Sequence, residues 1–251
     1  MEYTLAATVS KGIHSSPHKV LGAIAWDALA AEALAAGQDA PGERGFGAVV
    51  TDHRSSWVRR AEITATSYHV KTYDYPRAAD RWRGVGRNTW LAPSRAHREA
   101  RALIWLLERG LGEVAPVAVA EWRTPRWLGR AGFLRRAVLV TRTWSGSAAG
   151  MVLPQLAPPQ RTGLLDALVA HVERLHASGF RDGNLDLRNL LVRQGADGNW
   201  QCTKIDSPRW HVSARPRDAA WRRDWERLIP QLAAHAAPAW IAALRDRLSR
   251  G

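Results

Sequence analysis

Between residues 160 and 206 the chain prescribes a helix, a loop crowded with Asp and Asn, and a two-stranded hairpin, and this succession restricts the fold more than any other segment. Leu164, Leu165, Leu168, Val172 and Leu175 recur at three- and four-residue steps, which predicts a helix over 160–178. Gly179 stands where such a helix stops in a left-handed turn. After the loop 181–189 come an apolar strand at 190–192, a polar turn containing Asp197 and Gly198, and a second strand over 200–205 that ends on Asp206. Pairing the two arms brings the Asn189 amide oxygen and the Asp206 carboxylate to one end of the hairpin. Hard oxygen donors of this kind suit a magnesium ion that carries substrate phosphates.

Two upstream residues extend the pattern. Residues 68–73, YHVKTY, alternate like a strand and carry Lys71, one of only four lysines against 32 arginines. An ammonium is a compact point charge that fits between phosphate oxygens and a carboxylate, and the competing reading is an ordinary surface lysine. The segment 94–109 reads as a helix with Ala96, Ala100, Leu103, Ile104 and Leu107 on its apolar face and Gly110 at its end. Glu99 lies about 40° from Leu103 at the edge of that face, placed to pair with Lys71. The alternative is a solvated glutamate bonded to a neighbouring arginine.

The segments VKTY at Lys71, AHREARAL at Glu99, LHASGF before the loop, LRNLLV at Asn189 and KID at Asp206 together resemble the bacterial lipopolysaccharide kinase family, the Kdo and heptose kinases, over residues 57–228. The resemblance implies an α+β, bilobal protein-kinase-like fold: a small antiparallel β lobe with one helix, and a larger, mainly helical lobe, with ATP held between them. It implies an N-terminal helical extension and linker over 1–41, a small lobe over 42–143 and a large lobe over 144–251. Carried over by position, Lys71 contacts the nucleotide phosphates, Glu99 holds Lys71, and Asn189 and Asp206 bind Mg2+. The acceptor it implies is a sugar hydroxyl on a small molecule or glycolipid.

The loop departs from that family's HGDLNxRN pattern. Asn184 stands at the position of the carboxylate that takes the acceptor's proton, and an amide cannot do so at neutral pH. Asp182 occupies the histidine position and Asp186 lies two residues after the missing base. Residues two apart project to the same side of an extended loop, so Asp186 is the candidate displaced base, offset by ~6–7 Å. A pseudokinase that keeps the fold as a nucleotide binder, scaffold or regulator is the alternative. After Asp206 comes Ser207-Pro208-Arg209, in which proline fixes the backbone against a flip. For the phosphate loop two candidates stand: the glycine run with Gly45 and Gly47, and the turn at 52–56 between strand-like 48–50 and 57–63. The adenine is expected beside the apolar strand 138–143, by analogy of fold.

Whole-chain properties bound these readings. At 251 residues and 46% hydrophobic content the chain can bury one sizeable core or two small ones. Its one cysteine, Cys202, rules out an intramolecular disulfide and is expected as a buried core thiol. The start MEYTLAATVSKG lacks the form of a secretion signal, so the expected location is cytoplasmic, with a peripheral place at the inner membrane open. Alanine-rich residues 20–37 are expected to be helical, as are 218–229 and, after Pro238, 239–248. A net charge of +13 suits ATP, phosphorylated glycolipid, an anionic membrane surface or nucleic acid; it suits simple arginine bias equally. The basic cluster 123–136, with Trp122 and Trp127, is a candidate membrane or glycolipid surface, and Trp82 and Trp90 are candidate exposed rings. A nucleic-acid binder lacks a recognisable reading motif here. Acceptor identity and oligomeric state are not encoded in any of these features.

Overall fold

A computed structural model describes residues 48–53, 56–63, 66–75, 93–123 and 133–250. The expected N-terminal helix at 20–37, the glycines Gly45 and Gly47, the rings Trp82, Trp90 and Trp127, and residues 124–132 of the basic cluster lie outside these residues. The chain divides into two compact units, one running to Ile104 and including Ala115–Thr143, the other comprising Trp105–Val114 and Trp144–Gly251.

The first unit is an antiparallel sheet. Strands β1 (Ala48–His53), β2 (Ser56–Ile63) and β3 (Thr66–Asp74) form two successive hairpins, closed by the pairs His53↔Ser56 and Ile63↔Thr66. Helix α1 (Arg95–Glu108) follows, and strands β4 (Pro116–Arg123) and β5 (Leu134–Arg142) complete the order β1-β2-β3-β5-β4. Because β5 sits between two strands and alternates its side chains to opposite faces, its apolar run Ala137, Val138, Leu139, Val140 is buried throughout. Ser94 caps α1 by accepting the His97 backbone N–H on its hydroxyl oxygen at 3.1 Å. At the other end Gly110, at φ +63°, turns left-handed, and the Leu111 N–H reaches back to the Leu106 carbonyl at 2.9 Å.

The second unit is mainly helical. Its elements are β6 (Ser147–Ala148), α2 (Ala149–Val152), α3 (Pro158–Ala177), β7 (Phe180–Arg181), β8 (Leu190–Gln194), β9 (Trp200–Lys204), β10 (His211–Val212), α4 (Ala219–Ala233) and α5 (Pro238–Arg250), with short 3-10 turns at Leu153–Gln155 and Leu187–Asn189. Leu164, Leu165, Leu168 and Val172 of α3 pack with Leu187, Leu190, Val192, Leu228, Leu232 and Leu244 in one core. Truncating Leu168 there to alanine costs about 2–5 kcal/mol. Helix α3 starts two residues before the periodicity suggests, because Pro158 and Pro159 have a φ suited to a first turn, where their missing N–H groups go unused. Helix α4 runs four residues past the expected end at 229, through Pro230. A mid-helix proline costs ~3 kcal/mol or more, but Leu228 and Leu232 are both sealed in the core, and that packing holds the helix together. Among the described residues no helix is long and apolar enough to cross a membrane.

The described ends of the basic cluster at 123–136 belong to the hairpin of β4 and β5. Trp122 pairs with Arg136 in register and Arg123 with Leu134, while the Arg136 guanidinium lies 3.2 Å from the Asp74 carboxylate. Cys202 is half-buried on β9 against the core, and burial pushes its thiol up to about 11.

Candidate functional site

In the first unit, strand alternation sends Lys71 and Tyr73 to the same face of β3, toward Glu99 of α1. The Lys71 ammonium lies 3.0 and 3.2 Å from the two Glu99 oxygens, and the Tyr73 hydroxyl donates to Oε2 at 2.5 Å. The Arg95 guanidinium sits over the Tyr73 ring, 4.9 Å from its centroid. Glu99 is only 4% exposed, and a carboxylate so placed is tolerated when ion-paired and hydrogen-bonded. Lys71 is therefore neither an ordinary surface lysine nor Glu99 a solvated helix residue. The sequence reading missed Tyr73 as the third member, although its i, i+2 relation to Lys71 was visible.

In the second unit the loop after α3 is pinned from below. Gly179, at φ +89°, turns the chain where an added Cβ would lie 2.8 Å from the Ser213 carbonyl oxygen. Arg181, fully buried, uses its guanidinium on the carbonyls of His176, Phe180, Arg215 and Pro216 at 2.8–2.9 Å and on the Asp218 carboxylate at 3.2 Å. The backbone N–H groups of Asp182 and Gly183 each donate at 3.0 Å to Asp224 of α4, whose Oδ2 also lies 3.3 Å from His176 Nε2. Neither Asp224 nor Arg181 figured among the sequence candidates. The visible signal for Asp224 was a carboxylate on the apolar side of an amphipathic helix, next to Trp225 and one turn before Leu228.

The loop carboxylates are committed. Asp182 is 1% exposed and lies 3.2 Å from the Lys204 ammonium; burial pushes its carboxyl up, against the pull of the Lys204 charge. Asp186 caps the 3-10 turn through the Arg188 backbone N–H at 3.0 Å, takes both arms of the Arg188 guanidinium at 3.1 and 3.0 Å, and has Arg227 at 3.6 Å. Partial burial alone would raise its carboxyl. The Arg188 hydrogen bonds and the charges of Arg188 and Arg227 outweigh this and hold it below the ordinary value. Asp186, the candidate displaced base, is thus stabilised as the anion, with both oxygens taken by guanidinium contacts, a state that lowers its strength as a base. Asp182, the candidate at the histidine position, is sealed against Lys204. Asn184 is half-buried, directly after Gly183 at φ +65°.

Beyond the loop, Asn189 and Asp206 flank the paired end of β8 and β9. Leu190 and Lys204 are register partners, and the Ile205 N–H donates to the Asn189 carbonyl at 2.9 Å. Asp206 adopts φ +55°, alone among the described non-glycine residues in the left-handed region. Its charge acts on the Arg188 guanidinium, which is held above its usual value mainly by Asp186 and further by Asp206. The Asn189 amide oxygen and the Asp206 carboxylate are hard donors of the kind that suits Mg2+, an ion that keeps waters and takes substrate phosphates for its remaining positions. Among the described residues no three His, Cys, Asp or Glu side chains cluster into an all-protein metal cage. Of the two phosphate-loop candidates, the turn at 52–56 joins β1 to β2.

No family model matches the chain, and no curated protein sequence matches it. Solved structures do. WaaP in complex with acyl carrier protein is similar with a TM-score of 0.53 and 17% identity, over 82% of this chain and 79% of that one. The Rio2 kinase from Chaetomium thermophilum, in its ADP/Mg2+-phosphoaspartate complex, is similar with a TM-score of 0.51 and 17% identity, over 81% of this chain and 59% of that one. The chain has an α+β, protein-kinase-like fold, with one unit an antiparallel sheet plus helix and the other mainly helical.

Proposed function

We propose that this protein is an ATP- and Mg2+-dependent phosphotransferase that phosphorylates a sugar hydroxyl on a small-molecule or glycolipid acceptor, in the manner of the lipopolysaccharide kinases. The observation that carries the reading is the Lys71–Glu99 ion pair, whose carboxylate is buried and is also held by Tyr73. A chain with no use for a fixed ammonium has no reason to desolvate a carboxylate to hold one. Support comes from the likeness to Rio2, whose complex contains ADP and Mg2+, and to WaaP, a lipopolysaccharide core kinase. In this proposal Lys71 engages the nucleotide phosphates, Glu99 and Tyr73 fix Lys71, and Asn189 and Asp206 hold Mg2+, which supplies charge neutralisation at the phosphates when bound. The acceptor oxygen forms a bond to the γ-phosphorus, the bond from that phosphorus to the bridging oxygen breaks, and ADP leaves with that electron pair. Because the transition state is loose, the acceptor needs little activation, and its proton passes to solvent or to the transferred phosphoryl group. The net charge of +13 favours an anionic acceptor or a place against an anionic inner-membrane surface.

A second reading, a pseudokinase that binds nucleotide without transfer, draws on one observation: Asn184 at the base position with both neighbouring carboxylates engaged. Calorimetric titration of ATP with and without Mg2+ tests the shared part. Wild-type protein should bind in a Mg2+-dependent way, and Lys71→Ala and Asp206→Ala should each weaken binding by roughly tenfold or more, about 1.4 kcal/mol. Absence of Mg2+-dependent binding by the wild type removes both readings. Transfer of labelled γ-phosphate to a sugar acceptor supports the first, and binding without transfer the second.

A further inference from the structure

The Lys204–Asp182 pair is the most deeply buried charge pair in the second unit, with the lysine fully enclosed. Its ammonium does two things at once. It lies 3.2 Å from Asp182 Oδ2, and it donates to the carbonyl oxygen of Ile205. That carbonyl belongs to the peptide plane joining Ile205 to Asp206, so fixing its direction fixes ψ of Ile205 and constrains φ of Asp206. The Ile205 N–H is held by the Asn189 carbonyl. Both ends of Ile205 are thus tied down immediately before Asp206, whose left-handed φ of +55° is disfavoured for side chains other than glycine. On the far side, Ser207 is buried directly after Asp206. Asp182 is itself anchored through its backbone to Asp224.

The residue choice supports a purpose beyond filling space. Replacing a buried ion pair with apolar side chains of like volume is commonly neutral or stabilising, so stability alone does not call for one here. The chain uses arginine for 32 of its 36 basic residues, yet places lysine at 204. An ammonium presents donors from a single point to a carboxylate and a carbonyl inside a sealed space, which the wider planar guanidinium does not do.

We propose that the Asp182–Lys204 pair is a built-in latch that presets the backbone at Asp206, so that the metal-binding carboxylate is arranged before nucleotide arrives and needs no activating modification. The inference rests on the reading of Asp206 as a metal ligand, and it makes Asp182 and Lys204 positioning residues.

Hydrogen–deuterium exchange on the full chain tests it. In wild-type protein without nucleotide, the Ile205 amide should already be protected, and Mg2+–ATP should change its rate by less than about threefold. If this amide exchanges freely in the unliganded protein and becomes protected only with Mg2+–ATP, the latch is overturned. The double variant Asp182→Leu/Lys204→Met removes both charges together. It should keep a cooperative thermal transition while the Ile205 amide exchanges at least ~10-fold faster. Its Mg2+-dependent ATP affinity should fall by about tenfold, with Mg2+-free affinity unchanged. A folded double variant with wild-type exchange at Ile205 also overturns the latch, and should the double variant fail to fold, the wild-type comparison decides. Wild-type protein that never binds Mg2+–ATP defeats the proposed function, while exchange at Ile205 in the unliganded protein and in the double variant still judges the latch.

Discussion

The substitution Asp224→Asn probes the anchoring of the loop without touching any proposed ligand. Asp224 is 1% exposed; its Oδ1 accepts the Gly183 N–H at 3.0 Å and its Oδ2 accepts the Asp182 N–H at 3.0 Å, with His176 Nε2 at 3.3 Å. Asparagine keeps one oxygen and replaces the other by an NH2 group, which faces an N–H donor and cannot accept from it. The oxygen is best kept on the Asp182 and His176 side, because the Asp182 N–H has no other acceptor, while the Gly183 N–H sits on an exposed residue that water reaches. The loss is then one hydrogen bond to a charged group plus weakening of the others, together about 2–4 kcal/mol. For a chain of this size that lowers Tm by roughly 6–12 °C. Differential scanning calorimetry with parallel urea titration measures it, and the midpoint should fall with an unchanged urea dependence. A Tm change smaller than about 2 °C would show that Asp224 is not what holds the loop, and the account of the pinned backbone would fail.

Other expectations follow from the same side chains. His171 is buried on α3; burial chiefly, then the charges of Arg174 and Lys204, lowers it to about 4, so the unfolded chain binds the extra proton. Its contribution is fully present above about pH 6.5 and is lost as pH falls toward 4, up to ~3 kcal/mol, so urea midpoints should drop over that window less in His171→Gln than in wild type. An equal drop in both proteins would remove His171 from the explanation. Cys202, raised to about 11, should react with Ellman's reagent at pH 8 roughly 100-fold more slowly in the native protein than in urea, and fast native reaction would contradict its burial. Tyr73→Phe should lower stability by about 1–2 kcal/mol through the loss of the hydroxyl on Glu99, read from the calorimetric midpoint.

The parts of the fold visible in the sequence were those with a local period or a local stop. Helix α3 and its Gly179 turn, the β8–β9 hairpin around Gly198, the strand carrying Lys71 and the helix carrying Glu99 all announce themselves within about 20 residues. Strand β4 did not, because proline at its start and a run of arginines just beyond it read as surface. Its identity comes from pairing with β5, a tertiary fact. The buried polar network was hidden for the same reason. Asp224 meets the loop about 40 residues away and Lys204 meets Asp182 across a whole hairpin, and no periodicity records pairings of that span. Asp186 was visible but ambiguous: DLR spells a capping turn as well as an acid, and only the bidentate Arg188 contact separates the two.

That ambiguity bears on catalysis. The loop from Asp182 to Asn189 offers two carboxylates, and the structure engages one with Lys204 and the other with Arg188 and Arg227, leaving the amide of Asn184 at the position where a kinase-like enzyme needs its base. In the proposed phosphotransferase, transfer would rely on positioning and charge neutralisation, forgoing the ~10²–10⁴-fold that a general base contributes. Restoring the carboxylate with Asn184→Asp should therefore raise kcat by about tenfold or more and introduce an acid limb in the pH–rate profile, since the new group acts only when ionised. Asp186→Asn should introduce no such change in the profile; it should cost about 1 kcal/mol of stability through the weakened cap. The two variants separate the roles cleanly in one acceptor assay run alongside thermal melts. If Asp186→Asn abolishes turnover in a protein that melts like wild type, Asp186 is the base after all, and the two arginines that hold it must release it on binding substrate.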